Sequence, residues 1–324
     1  MTVEESSATQ VAFLFPGQGS QSVGMGKDLA DRYPRARQTF EEADEALGTR
    51  LSQFCSEGPE DQLRLTENTQ PAILTVSVAA WRVLQEKGIK QPAFVAGHSL
   101  GEYSAHVAAG TIGFADAVRT VRNRGKYMQE AVPVGTGSMA AILGMDLDTV
   151  VGICGDSAQG EVCELANINS PEQIVISGHT AAVERAVKLA DERGAKRAKL
   201  LPVSAPFHCS LMKLAQERLS ADLEALQFSV PRFPVVCNVY ARPVEDAERA
   251  REALVRQVTG SVKWSESMQW LTAHGVQTFV EVGPGKVLCG LMRQIDRAKK
   301  GLNVEDEASL QKTLEFLATT PVSS

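Results

Sequence analysis

The sequence has 324 residues, 33 Lys and Arg against 39 Asp and Glu, and 44% hydrophobic residues. That length can bury one large core or a large domain with a smaller one attached. The net charge of -6 offers no excess of positive charge for phosphates, which argues against a nucleic-acid partner.

The opening MTVEESSATQ is polar and acidic, unlike a signal peptide. VAFLFP, residues 11–16, reads as a buried strand running into a loop. After Pro34, RARQTFEEADEAL has helical spacing, with Gly48 as its stop. Residues 70–88, QPAILTVSVAAWRVLQEKG, predict a buried helix. AFVAG is a strand, LGEYSAHVAAG a helix ending at Gly110, and DAVRTVRNRGKYMQEA another helix. The middle of the chain then changes character. SMAAIL is a strand, and DLDTVVGICGDS a helix opening on a capping Asp. EVCELANIN and QIVISG are strands joined by a turn at SPE. HTAAVERAVKLADERG is a helix and AKRAKLLPV a strand. That β-α-β-β-α-β order is the pattern of a ferredoxin-like unit, expected at residues 135–203.

After it the α/β alternation resumes. SLMKLAQERLSADLEAL, DAERAREALVRQV, SESMQWLTAHG and KVLCGLMRQID read as helices, FPVVCN and TFVEVG as strands. The tail TTPVSS is expected to fray. The fold expected is therefore α/β. A large α/β-hydrolase-like domain with a parallel-sheet core covers 1–134 and 204–324, with the small domain inserted. No apolar run is long enough to span a bilayer, so no membrane partner is expected. Cys55, Cys154, Cys163, Cys209, Cys237 and Cys289 form no CxxC pair and no zinc-spaced cluster. They are expected to be reduced thiols of a cytoplasmic protein.

Strand, then Gly97-His98-Ser99-Leu100-Gly101, then helix is the G-x-S-x-G nucleophile elbow in its expected setting. The turn is so tight that side chains two positions either side of the serine would clash, hence the two glycines. The Ser99 hydroxyl then stands at a helix N-terminus, where the Leu100 N–H is the natural first oxyanion donor. The alternative is that Ser99 merely caps the helix. A nucleophile needs a base. His98 adjoins Ser99, and its side chain is expected to point away from the hydroxyl. His106 falls down the helix, facing packing or solvent. His179 suits a cap or a surface, and His274 a helix end. His208, on a proline-bearing loop where the chain re-enters the large domain, is the candidate. Asp222, Glu224 and Glu281 are all as easily solvated, so no acid stands out as a third member.

FPGQGSQ, GHSLGEY, RGKYMQ, PFH and VGPGKVL together resemble the malonyl-CoA:acyl carrier protein transacylases of type II fatty acid synthesis. The same motifs occur in acyltransferase domains of polyketide synthases. The resemblance implies that Ser99 is the nucleophile and His208 its base. It implies a backbone carbonyl, supplied by Gln257, that orients the imidazole in place of an acid. It implies that the Gln18 N–H is the second oxyanion donor and that Arg124 binds the free carboxylate of malonate. A guanidinium suits that carboxylate because it binds bidentately. The alternative for Arg124 is a solvated basic face shared with Arg122 and Lys126. Phe207 matches an aromatic position of malonyl-selective relatives, and His98 and Met128 are expected beside the substrate.

The implied reaction is a ping-pong transfer from malonyl-CoA, through a malonyl-serine, to the thiol of acyl carrier protein, with no metal or cofactor. A monomer is expected. The acidic carrier protein needs a local basic patch on this acidic chain. Candidates are Lys196, Arg197 and Lys199; Lys213 with Arg218; and Arg297, Lys299 and Lys300. A malonyltransferase serving a polyketide synthase, an acyl-thioester hydrolase and a non-catalytic scaffold are the competing readings.

Overall fold

The computed structural model describes residues 10–203 and 205–319. The opening nine residues and, apart from Thr319, the tail expected to fray lie outside the described residues. In chain order the first part comprises β1 (Gln10–Phe15), α1 (Lys27–Arg32), α2 (Pro34–Leu47), α3 (Leu51–Ser56), α4 (Glu60–Arg64), α5 (Thr66–Glu86), β2 (Phe94–Gly97), α6 (Gly101–Ala108) and α7 (Phe114–Glu130). The middle comprises β3 (Gly137–Leu143), α8 (Leu147–Ala158), β4 (Cys163–Ser170), β5 (Gln173–His179), α9 (Thr180–Glu192) and β6 (Arg197–Leu200). The last part comprises α10 (Lys213–Glu224), β7 (Val235–Cys237), β8 (Arg242–Val244), α11 (Ala247–Gln257), α12 (Trp264–Ala273), β9 (Val276–Val282), α13 (Val287–Ile295), β10 (Lys300–Val304) and α14 (Glu307–Thr319).

The first and last parts share one sheet of order β10-β9-β1-β2-β7-β8, parallel except for the edge strand β8. Both faces are covered, which is why its strands are apolar runs rather than alternating ones. In β1, Val11, Phe13 and Phe15 join the core on one face, and Ala12 and Leu14 the core on the other. The helix α5 is apolar nearly all round and buried along its length, as expected for a helix packed on several sides. It starts at Thr66, one turn before the Gln70 start read from the sequence. The middle part forms a separate four-stranded antiparallel sheet, order β4-β5-β3-β6, with its own core under α8 and α9. Asp146 caps α8 as read, accepting from the Thr149 N–H at 2.9 Å. The small sheet is tied to the rest where Ile168 N of β4 donates to the carbonyl of Val262, between α11 and α12, at 2.9 Å, and Val262 N to that of Ala166 at 2.8 Å.

The sequence reading missed α1, α3 and α4, which are too short to show a period, and also the strands β8 and β10 and the helix α14. Glu281 is not solvated but fully buried, accepting from the Leu288 and Cys289 N–H groups at 3.1 and 2.8 Å where α13 begins. Among the described residues no helix is long and apolar enough to cross a membrane. Nor is there a group of three or more His, Cys, Asp or Glu that could hold a metal ion.

Candidate active site

Ser99 sits between β2 and α6 with φ 52°, in the left-handed region that L-residues seldom enter. The neighbouring glycines are what permit the corner. A Cβ on Gly97 would run into the backbone of Gly101, and one on Gly101 into the carbonyl of Phe15 at the end of β1. Asn238, just beyond β7, closes the turn from the other side. Its Oδ1 accepts from Ser99 N and its Nδ2 donates to Gly97 O, both at 2.7 Å. Three adjacent parallel strands thus end at one point, where open α/β sheets place their ligands.

The Ser99 hydroxyl lies 2.7 Å from His208 Nε2. On the other side of the ring, Nδ1 lies 2.9 Å from the backbone carbonyl of Gln257, at the end of α11. A carbonyl can only accept, so Nδ1 carries the proton and Nε2 is left as the acceptor for the hydroxyl. Burial, and then the positive charge of Arg124, push the His208 pKa down to about 3. The imidazole is therefore neutral in the resting site. His208 itself has φ 59°.

Arg124 is buried on α7, whereas Arg122 is half-exposed and Lys126 exposed. The solvated-face alternative therefore does not describe Arg124. Gly125 brings α7 close enough that a Cβ there would stand 2.6 Å from the Thr66 carbonyl of α5. The guanidinium donates to neutral oxygens: Gln70 Oε1 at 2.6 Å, Gln257 Oε1 at 3.1 Å and Ser99 Oγ at 3.2 Å. A buried cation with these neutral partners is matched to an anion.

Ser99, His208 and Arg124 face one cavity of about 280 Å³ between the two sheets. Gln18, His98, Leu100, Met128 and Phe207 line it too. Gln257 does not line it and acts from behind. The loop after β1 lies against the elbow, and a Cβ on Gly17 would overlap the His98 carbonyl. Among the described residues the N–H groups of Gln18 and Leu100 donate to no other group. His98 turns its Nε2 to Asn169 Oδ1 at 2.8 Å, away from the hydroxyl. Burial lowers its pKa.

The remaining candidates separate cleanly. His106 is buried, and His179 accepts from Val162 N at 2.9 Å. His274 is stacked on Trp270. Asp222 binds Asn123 and Tyr127 at 2.8 and 3.0 Å, and Glu224 the Ser220 hydroxyl at 3.1 Å. Reasoning from sequence missed Gln70, Glu102, Asn169 and Asn238, whose partners are far away along the chain.

The arrangement can do acyl transfer: a hydroxyl beside a neutral, oriented imidazole, amide donors at a helix start, and a buried cation next to both. Comparison with known proteins agrees. The acyl transferase domain family matches residues 12–313. The malonyl CoA-acyl carrier protein transacylase of Salmonella typhimurium is 52% identical over 306 residues, 94% of this chain and 99% of that protein. The structure of an acyl carrier protein S-malonyltransferase from Vibrio cholerae superposes with a TM-score of 0.93 at 49% identity, covering 94% of this chain and 100% of that one. A malonyl-transacylase in complex with its type II polyketide acyl-carrier protein gives a TM-score of 0.93 at 49% identity, with 95% and 100% covered. With a match that spans nearly the whole chain and a site built for acyl transfer, this chain belongs to the malonyl-CoA:acyl carrier protein transacylase family.

Proposed function

We propose that Ser99 and His208 are the transfer dyad through which this acyltransferase moves malonyl groups from malonyl-CoA to acyl carrier protein. The observation that carries the reading is the 2.7 Å contact of Ser99 Oγ with a His208 ring whose other nitrogen is held by the Gln257 carbonyl. In the first half-reaction His208 Nε2 takes the hydroxyl proton as Ser99 Oγ attacks the thioester carbon. The Gln18 and Leu100 N–H groups hold the oxyanion. The carbon–sulfur bond breaks, the thiolate leaves as coenzyme A with the proton from His208, and a malonyl-serine ester remains. The phosphopantetheine thiol of the carrier protein then gives its proton to His208, attacks the ester and restores the Ser99 hydroxyl. Neither step moves electrons to an acceptor, so the reading includes no metal or redox cofactor.

Arg124 holds the malonyl carboxylate in both halves. Its charge is also one cause of the low His208 pKa. A carboxylate paired with Arg124 offsets that charge and makes the imidazole a stronger base. An acetyl group cannot do so, and leaves the buried guanidinium with no carboxylate bound to it. Phe207 and Met128 shape the apolar side of the cavity, and the Phe207 ring disfavours a methyl branch on the acyl group.

The same reading takes residues 1–134 and 204–324 as a large α/β-hydrolase-like domain, supported by the parallel sheet and the elbow. Residues 135–203 are an inserted ferredoxin-like domain, supported by the strand order β4-β5-β3-β6. It places the protein in the cytoplasm as a monomer, serving fatty acid synthesis. Carrier docking falls to a local basic patch, although the candidates are partly neutralised. Lys196 pairs with Glu172 at 2.6 Å and Arg218 with Glu130 at 2.7 Å.

Intact-mass measurement tests this reading. Wild type is offered malonyl-, methylmalonyl- and acetyl-CoA together and should gain one malonyl adduct, while Ser99→Ala gains none. Fast net hydrolysis without an adduct would make the protein a hydrolase. Adduct formation on Ser99→Ala would remove the dyad.

A further inference from the structure

Glu102 lies one turn into α6 from the serine, inside GHSLGEY, and is fully buried. A buried carboxyl is costly unless its hydrogen bonds matter. One of its oxygens, Oε2, accepts from Asn238 N at 2.9 Å and from Gln257 Nε2 at 2.8 Å. The other, Oε1, has no partner among the described residues. The two residues that donate to Glu102, Asn238 through its backbone N–H and Gln257 through its side-chain amide, both support the dyad through their other groups. Asn238 grips the elbow on each side of Ser99, through Ser99 N and Gly97 O. Gln257 supplies the carbonyl that orients His208, and its side-chain Nε2 also donates to Ser99 O at 2.9 Å.

Glu102 Oε2 is one of four contacts that fix the orientation of the Gln257 side-chain amide. Its Nε2 faces Glu102 Oε2, Ser99 O and Asn238 Oδ1, while its Oε1 faces the Arg124 guanidinium. A flipped amide would set oxygen against three acceptors and NH2 against a cation. Removing Glu102 takes away the acceptor that serves both amides and leaves a buried N–H of Asn238 unpaired.

We propose that Glu102 is a positioning residue for the transfer reaction: through one oxygen it fixes the Asn238 backbone, whose side chain grips the Ser99 corner, and the Gln257 side chain, which binds Ser99 O and belongs to the residue whose backbone carbonyl orients His208. It touches neither substrate nor reacting atoms. The role needs an acceptor at Oε2 and no charge. A proton can reside on Oε1 without disturbing either bond. Burial, opposed by those bonds and by the Arg124 charge, raises the Glu102 pKa to about 7, so both forms must serve at working pH. The groups around it are Arg124 on α7, Tyr103 on its own helix, Cys237 at the end of β7, and the two amides.

The inference rests on the dyad reading above and is tested by the rate of malonyl adduct formation, measured by rapid quench and mass. Glu102→Gln keeps an oxygen acceptor and should stay within about threefold of wild type from pH 6 to 8. Glu102→Ala should form adduct about 100-fold more slowly, with little change in KM for malonyl-CoA, because the dyad is displaced while the pocket is not. Thermal melts report whether each variant is folded. Glu102→Ala acylating at the wild-type rate would overturn the proposal. So would Glu102→Gln losing tenfold or more while folded, since charge and not the acceptor would then matter. If Glu102→Ala does not fold, the Gln variant decides alone. Failure of wild type itself to form adduct would instead count against the dyad.

Discussion

On the large-sheet side of the cavity stand a hydroxyl, an imidazole and a guanidinium, held by buried amides and by strand ends with no room to move. On the small-sheet side the lining is Met139, Ala141, Val175, Leu201 and Val203, with the amides of Asn167, Asn169 and Gln173. The groups of the proposed dyad and the Arg124 cation thus stand on one wall, and the other is uncharged. The division follows from the two architectures. A parallel sheet covered on both faces gathers its loops at one edge and fixes them there. A four-stranded antiparallel sheet packed by helices on one face leaves its other face to line a cavity. Reaction chemistry and acyl-group fit can therefore change separately.

The largest expected effect lies on the rigid wall. Gly101→Ala should abolish activity, because its Cβ has no space beside the Phe15 carbonyl. A folded, active Gly101→Ala would mean the corner is not rigid. Next, Arg124→Ala should slow malonyl adduct formation about 100-fold and acetyl adduct formation less than tenfold. Competition between the two thioesters reads this out, and an unchanged ratio would remove Arg124 from selection. On the opposite wall, Asn169→Ala should cost less than about tenfold, since it frees the His98 ring without touching the dyad. A larger loss in kcat would show that the uncharged wall takes part in the chemistry.

The smallest effect concerns acid stability. His106 is buried with neither ring nitrogen bonded among the described residues, and burial takes its pKa from 6.5 to about 3. The unfolded chain therefore takes up a proton that the folded one refuses. The stability is whole above pH 6.5 and falls as pH drops from there toward 3. His98 and His208, also shifted down, add in the same direction and on the same wall. His106→Leu should flatten the fall of melting temperature between pH 6.5 and 5. An unchanged slope would place the acid-labile part elsewhere.

Much of the rigid wall was legible because its requirements are local. Gly97 and Gly101 are needed by a corner five residues long, and that pattern survives in sequence. The β-α-β-β-α-β order was legible for the same reason, since each element shows its own period. His208 was reached by elimination among the five histidines, whereas Gln257 and Arg124 came with the motif resemblance and not from spacing. Asn238 and Gln70 were invisible because each is an ordinary amide until folding brings it to Ser99 or Arg124, and nothing in sequence marks that meeting. Glu102 was the avoidable omission. The search for a carboxylate to hold the histidine passed over it because it holds Gln257 instead.

Both Ser99 and His208 occupy a backbone region that disfavours any residue with a Cβ, and both tolerate it for the sake of where their side chains must go. Glycine at either place relieves that strain, by about 1 kcal/mol each. An inert copy made with glycine at position 99 should then outlast the working enzyme on heating. Such a copy, unable to turn over but no less well folded, is the natural bait for capturing a carrier protein.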